Sequence, residues 1–140
     1  MAYFGEYTYN LDAANRLIMP SRYREQLGTD VVLYRSPDGC LFVYDMPAFE
    51  AVIAPLKPLS RTELGREKLR RFYSDVSNVA MDRSGRLVVP AECIAHAALK
   101  DEVIVLGVNN HVEVWDKKTY LERLGDKTLL TVNDYPEIEF

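Results

Sequence analysis

A chain of 140 residues with 48% apolar and 27% charged side chains has room for one domain or two tightly joined halves. No apolar run approaches the ~20 residues of a membrane span, and no basic N-terminal region leads into an apolar core, which predicts a cytoplasmic protein without a membrane partner. The net charge of −4 argues against nucleic acid until its distribution is read: residues 1–100 carry 13 Lys and Arg against 12 Asp and Glu, and residues 101–140 carry 4 against 9. A nucleic-acid binder built this way needs a local basic face.

In chain order, Tyr7, Tyr9 and Leu11 alternate with polar residues, the period of a half-buried strand. Residues 12–15 predict a turn, with Asn15 supporting a left-handed backbone. Residues 16–19 form a short strand, Pro20 opens a helix, and Gly28 suits the position past its end. Residues 31–35 and 40–44 predict a hairpin across Ser36-Pro37-Asp38-Gly39. Asp45 suits a helix N-cap, with Phe49, Val52 and Ile53 on one face. Pro55 and Pro58 are expected to break the chain, and Ser60-Arg61-Thr62-Glu63 reads as a capping box opening a helix to about Tyr73. Lys57, Arg61, Arg66, Lys68, Arg70 and Arg71 make this stretch basic against Glu63 and Glu67; a solvated helix face is favoured over a DNA-backbone contact.

The second half follows the same order. Val76, Val79 and Met81 lead into a turn at residues 82–86, a strand at 87–89 and a helix at 90–99. Residues 103–107 and 112–115 form a hairpin across Asn109-Asn110. Asp116 caps a helix that ends at Gly125, residues 129–132 predict an edge strand, and 134–140 an acidic tail. Cys40 and Cys93 read as small buried thiols, and His96 and His111 as isolated residues.

One stretch organises this order, because it occurs twice. Leu11-Asp12-Ala13-Ala14-Asn15-Arg16-Leu17-Ile18-Met19-Pro20 faces Met81-Asp82-Arg83-Ser84-Gly85-Arg86-Leu87-Val88-Val89-Pro90 at a constant offset of 70. Each reads apolar, Asp, three residues, Arg, three apolar residues, Pro. The match continues through the following helix and hairpin. A unit of some 45 residues with so many short strands could hardly bury its own apolar faces. Two copies can exchange strands and close a shared core.

The paired Asp-x-x-x-Arg segments, with Tyr23-Arg24-Glu25-Gln26-Leu27 after the first, resemble the MraZ family, a branch of the AbrB/SpoVT-like DNA-binding proteins. The likeness runs from about residue 4 to about residue 124. It implies an α+β fold in which two AbrB-like β-rich repeats in one chain close a pseudo-two-fold swapped-hairpin barrel with short helices. The repeats are expected at 4–54 and 75–125, joined by a basic helix at 55–74 and followed by an acidic tail at 126–140. The resemblance also implies a sequence-specific, nucleoid-associated transcriptional regulator. Its partners are itself, in a ring of eight or twelve subunits, and double-stranded DNA, at direct repeats in the promoter of the division and cell-wall gene cluster.

The residues say how such loops work. A carboxylate opening a tight turn accepts backbone N–H groups and pairs with an Arg four residues later. Held rigid, the planar Arg fork suits phosphate oxygens or a guanine edge. The expected DNA-binding residues are Asn15 and Arg16 in the first loop and Arg83, Ser84 and Arg86 in the second, with Asp12, Asp82 and Gly85 organising the loops. Where the family pattern carries Lys-Gly before the first Arg, this chain has Ala14-Asn15, which predicts weaker DNA contact there. The alternative is a pair of structural turns closed by surface ion pairs worth ~0–1 kcal/mol, in a structural or protein-interaction ring with little DNA affinity. No Ser-His-Asp or Cys-His set, Gly-rich phosphate loop or metal cluster is visible, so no catalysis, cofactor, metal or small-molecule substrate is expected.

Overall fold

The computed structural model describes residues 2–125 and 132–139. The first half runs β1 (Tyr3–Asn10), β2 (Arg16–Ile18), α1 (Ser21–Leu27), β3 (Asp30–Arg35), β4 (Leu41–Asp45) and α2 (Met46–Ile53). A 3-10 helix (Ala54–Arg61) and α3 (Glu63–Ser74) lead to the second half. There β5 (Val76–Ala80), β6 (Arg86–Val88), α4 (Ala91–Ala97), β7 (Glu102–Asn109), β8 (Val112–Asp116) and α5 (Lys117–Leu124) repeat the order.

The halves exchange strands. The large antiparallel sheet has the order β1-β7-β8-β4-β3-β5, and β2 pairs with β6 in a separate two-stranded ribbon. Thus β1 lies on β7 of the other half, from Tyr3↔Asn109 to Asn10↔Glu102, while β5 lies on β3. Interchanging β1 with β5, β3 with β7 and β4 with β8 returns the same order reversed, which is the pseudo-two-fold relation that the duplication implies. The relation extends to single bonds: Leu11 N–H donates to Asp101 O at 2.8 Å, and Met81 N–H donates to Thr29 O at 3.0 Å.

Strand alternation decides what is buried. Val31 and Leu33, Leu41 and Val43, Val103 and Val105, and Val112 and Val114 all enter one core with Leu17, Met19, Leu87 and Val89 from the ribbon. The intervening residues feed two smaller clusters under α2 and α5, one with Val32, Tyr44 and Phe49, the other with Ile104, Trp115 and Tyr120. Asp45 and Asp116 cap these helices, accepting from Ala48 N–H and Thr119 N–H. Asp45 also accepts from Tyr3 Oη at 2.7 Å, tying β1 to the start of α2.

Two local expectations change. Pro55 and Pro58 do not break the chain; both sit within the 3-10 helix, because a fixed φ near −65° suits that geometry. The cap of α3 is Thr62, not Ser60: Thr62 Oγ1 accepts from Gly65 N–H at 2.9 Å, while Ser60 Oγ donates to Lys57 O. Gly65 then packs on the Leu59 backbone, where a β-carbon would collide. The edge strand expected at 129–132 lies outside the described residues except for Val132, which begins a 3-10 turn, Val132–Asp134. Cys40 and Cys93 are free and buried, and burial pushes the Cys40 thiol up to about 12.

Candidate nucleic-acid interface

Two five-residue loops join β1 to β2 and β5 to β6. In the first, Asp12 Oδ1 accepts from Ala14 N–H and Arg16 N–H, both at 2.9 Å. In the second, Asp82 Oδ1 accepts from Ser84 N–H at 2.8 Å and Arg86 N–H at 3.0 Å. Backbone bonds close each turn: Asp12 N–H to Arg16 O and Asn15 N–H to Asp12 O, then Asp82 N–H to Arg86 O and Gly85 N–H to Asp82 O. The residue before the arginine is left-handed in both, Asn15 at φ 59° and Gly85 at φ 78°.

The arginines leave these turns in the same way. Arg16 Nε donates to Asp12 Oδ2 at 2.7 Å, and Arg86 Nε donates to Asp82 Oδ2 at 3.1 Å. Each Arg side chain is 47% exposed. Using Nε internally fixes the guanidinium plane and leaves the two terminal amino groups for an external acceptor. Both carboxyls lie below the ordinary carboxylate range, first because the backbone N–H of Arg16 or Arg86 bonds the charged form; desolvation opposes this, and the remaining bonds of the turn add to it.

The ribbon brings the two loops together. Its register is Arg16↔Val88, Leu17↔Leu87, Ile18↔Arg86. Leu17 and Leu87 are buried, so Arg16, Ile18, Arg86 and Val88 share the solvent face. Arg16 and Arg86 line one shallow concavity of about 240 Å³, with Met81 and Asp82. Each loop is also stitched to the other half: Met19 N–H donates to Gly85 O at 2.8 Å, and Val89 N–H to Asn15 O at 2.9 Å. Arg83 and Ser84 are exposed on the second loop, and Ala13 and Ala14 occupy the matching places on the first.

One neighbour was not visible as part of the site. Arg24, on α1, packs against Gly85 in the second loop. It stands 61 residues away in the chain, and the only signal was that α1 follows the ribbon strand directly. The basic stretch of α3 lies elsewhere: Phe72 stacks on Phe49 and packs tilted against Tyr34, in a cluster separate from the ribbon core. His111 is not isolated either. Its Nε2 meets Glu113 at 2.9 Å, and Trp115 Nε1 donates to the same carboxylate. Among the described residues no group of three or more His, Cys, Asp or Glu could hold a metal ion, and no helix is long and apolar enough to cross a membrane.

Fold and site define a class: a duplicated α+β chain whose halves exchange strands and present paired Asp-x-x-x-Arg loops on one ribbon. A family model described as "MraZ protein, putative antitoxin-like" matches residues 2–72 and again 72–127. The chain is similar to the transcriptional regulator MraZ of Clostridium acetobutylicum, at 37% identity over 86% of this chain and 85% of that one. The proteins of the same description from Finegoldia magna and Limosilactobacillus fermentum are 36% and 38% identical, the former over 91% of this chain and 90% of its own, the latter over 84% and 83%. The chain belongs to the MraZ family.

Proposed function

We propose that this chain is a cytoplasmic, nucleoid-associated transcriptional regulator that binds double-stranded DNA in a sequence-specific manner through its two Asp-x-x-x-Arg loops. The observation that carries this reading is the clustering of Arg16 and Arg86. Two forks anchored through Nε to carboxylates lie on one exposed ribbon face and line one concavity. An arginine held in this way loses little entropy on engaging phosphate oxygens or the O6 and N7 of guanine. Asn15, Arg83 and Ser84 complete the contact surface, and Asp12, Asp82 and Gly85 hold it in shape. The relatives' description as transcriptional regulators supports the same reading.

Assembly completes the mechanism. A subunit of net charge −4 is repelled by DNA at long range, and only close contacts, inside a Debye length of ~8 Å, attract it. With the three cations Arg16, Arg83 and Arg86 at ~0.9 each, a single subunit has a salt slope of roughly −2 to −3, too little for useful affinity at cellular salt. A ring seats neighbouring subunits on consecutive direct repeats, where the second contact forms at high effective concentration. The family resemblance makes the ring an octamer or dodecamer, and its target the repeats in the promoter of the division and cell-wall gene cluster.

The test is fluorescence anisotropy across a salt series, on duplexes with one, two, three and four repeats, beside sedimentation of the protein alone. Affinity is expected to rise steeply with repeat number and the salt slope to grow with it, from a species well above dimer. A monomer that binds one repeat as tightly as three removes the ring. A chain that sediments as a ring but ignores DNA at every salt concentration supports a structural or protein-interaction ring instead.

A further inference from the structure

Arg24 sits where a side chain at position 85 would otherwise be. A β-carbon built on Gly85 would collide with Nε and Cδ of Arg24 and lie 2.8 Å from Cζ. Arg24 Nε donates to Met19 O at 2.9 Å, and Met19 N–H donates to Gly85 O. No ion pair among the described residues includes Arg24. The arrangement matches that of Arg16 and Arg86: Nε is tied down inside the protein, and the terminal amino groups are left for another acceptor.

The other half has no counterpart. The duplication places Ile94 of α4 at the position of Arg24. There Val89 N–H donates to Asn15 O as Met19 N–H does to Gly85 O, but Ile94 packs against the apolar core and adds no charge. Loop 2 therefore has three cations about it, Arg24, Arg83 and Arg86, against the single Arg16 of loop 1.

We infer that Arg24 is a DNA-contacting residue of the second loop, binding a backbone phosphate beside the group that Arg86 engages. This deepens the proposed DNA reading and rests on it. Phosphate is assigned rather than a base because Arg24 stands on α1, half-buried against Gly85, and is not one of the exposed residues of the loop itself. Base edges lie within the grooves, while flanking residues reach the sugar–phosphate backbone. A phosphate contact fixes orientation and carries no sequence information. Arg24 therefore raises affinity for target and unrelated DNA alike.

The test compares Arg24→Met, which keeps the aliphatic stem, with Arg86→Ala, each by thermal melt and by binding to target and scrambled duplexes over a salt series. Arg24→Met is expected to melt like the parent and lose about tenfold in affinity on both duplexes, the size of one charge-assisted contact. Its salt slope should shrink in magnitude by ~0.9. Normal binding by Arg24→Met beside weak binding by Arg86→Ala overturns this inference and leaves the DNA reading standing; normal binding by Arg86→Ala overturns the DNA reading itself. An affinity loss with an unchanged slope shows that Arg24 only props the loop, which also overturns the contact. Should Arg24→Met fail to fold, Arg24→Lys carries the test: charge kept and anchor lost, it should hold the parent slope at lower affinity, and parent affinity would overturn the anchored fork.

Discussion

Loop 1 and loop 2 are built from the same five hydrogen bonds, atom for atom, including Arg Nε to Asp Oδ2. Their surroundings differ. Loop 1 carries Ala13, Ala14 and Asn15 and has the α4 side chain Ile94 at the related position. Loop 2 carries Arg83, Ser84 and Gly85, with Arg24 lying against it. The comparison separates two properties that a single loop would confound. The turn is set by one carboxylate and a left-handed residue before the arginine, which both loops have. The charge offered to a polyanion is set by residues the turn does not need, which only loop 2 has.

The largest expected effect tests whether loop 2 dominates. Arg86→Ala should weaken binding to the direct-repeat duplex about tenfold to a hundredfold, the ~1–3 kcal/mol of one bidentate arginine contact, with an unchanged melting temperature. Arg86→Lys should recover only part, since Lys lacks the fork. Arg16→Ala should cost less, below about tenfold or ~1.4 kcal/mol, because its loop brings one cation where the other brings three. Anisotropy on one duplex ranks them; a larger loss from Arg16 reverses the comparison.

A smaller effect, on stability, separates the two left-handed residues. Gly85→Ala places a β-carbon at φ 78° and displaces Arg24, and should destabilise by ~1–2 kcal/mol in urea unfolding. Asn15→Gly meets a backbone already at φ 59° and should change stability by a few tenths of a kcal/mol. Equal losses would mean that Gly85 is needed for neither reason.

Much of this frame was legible in the chain because the determinants are local. The caps at Asp45 and Asp116 and the left-handed Asn15 each follow from residues within a few positions of one another. The strand exchange was legible through the duplication, since neither half can cover its own apolar faces. What escaped lies in choices that local chemistry leaves open. Ser60 and Thr62 are both good caps, and the packing of Gly65 on Leu59 favours Thr62. Proline stops an α-helix but continues a 3-10 turn, so Pro55 and Pro58 did not mark a break. Arg24 beside Gly85, and His111 with Glu113 and Trp115, are juxtapositions made by tertiary packing. Spacing alone does not reveal them.

The smallest expected difference is between the two carboxylates. Asp12 and Asp82 make the same bonds in the same exposed setting, so Asp12→Asn and Asp82→Asn should lower the neutral-pH melting temperature equally, whatever the ranking of Arg16 and Arg86 on DNA. Asn keeps an acceptor for the turn N–H groups but loses the charge that strengthens those bonds and the pairing with Arg. The folded carboxyls titrate below their ordinary value of 3.8, so their stabilisation is present above that pH and is lost as pH falls through the folded value. The gap between parent and either variant should therefore be constant from pH 7 to about pH 5 and close below 3.8. Glu113, whose carboxyl is also held low by His111 and Trp115 against desolvation, titrates in parent and variants alike and leaves the gap unaffected. Melts of the three proteins at matched ionic strength from pH 7 to pH 3 decide it. A gap that persists at pH 3 shows that the loss came from altered packing rather than charge. A loss confined to Asp82→Asn shows that the two turns, despite their shared bonds, are not energetically alike.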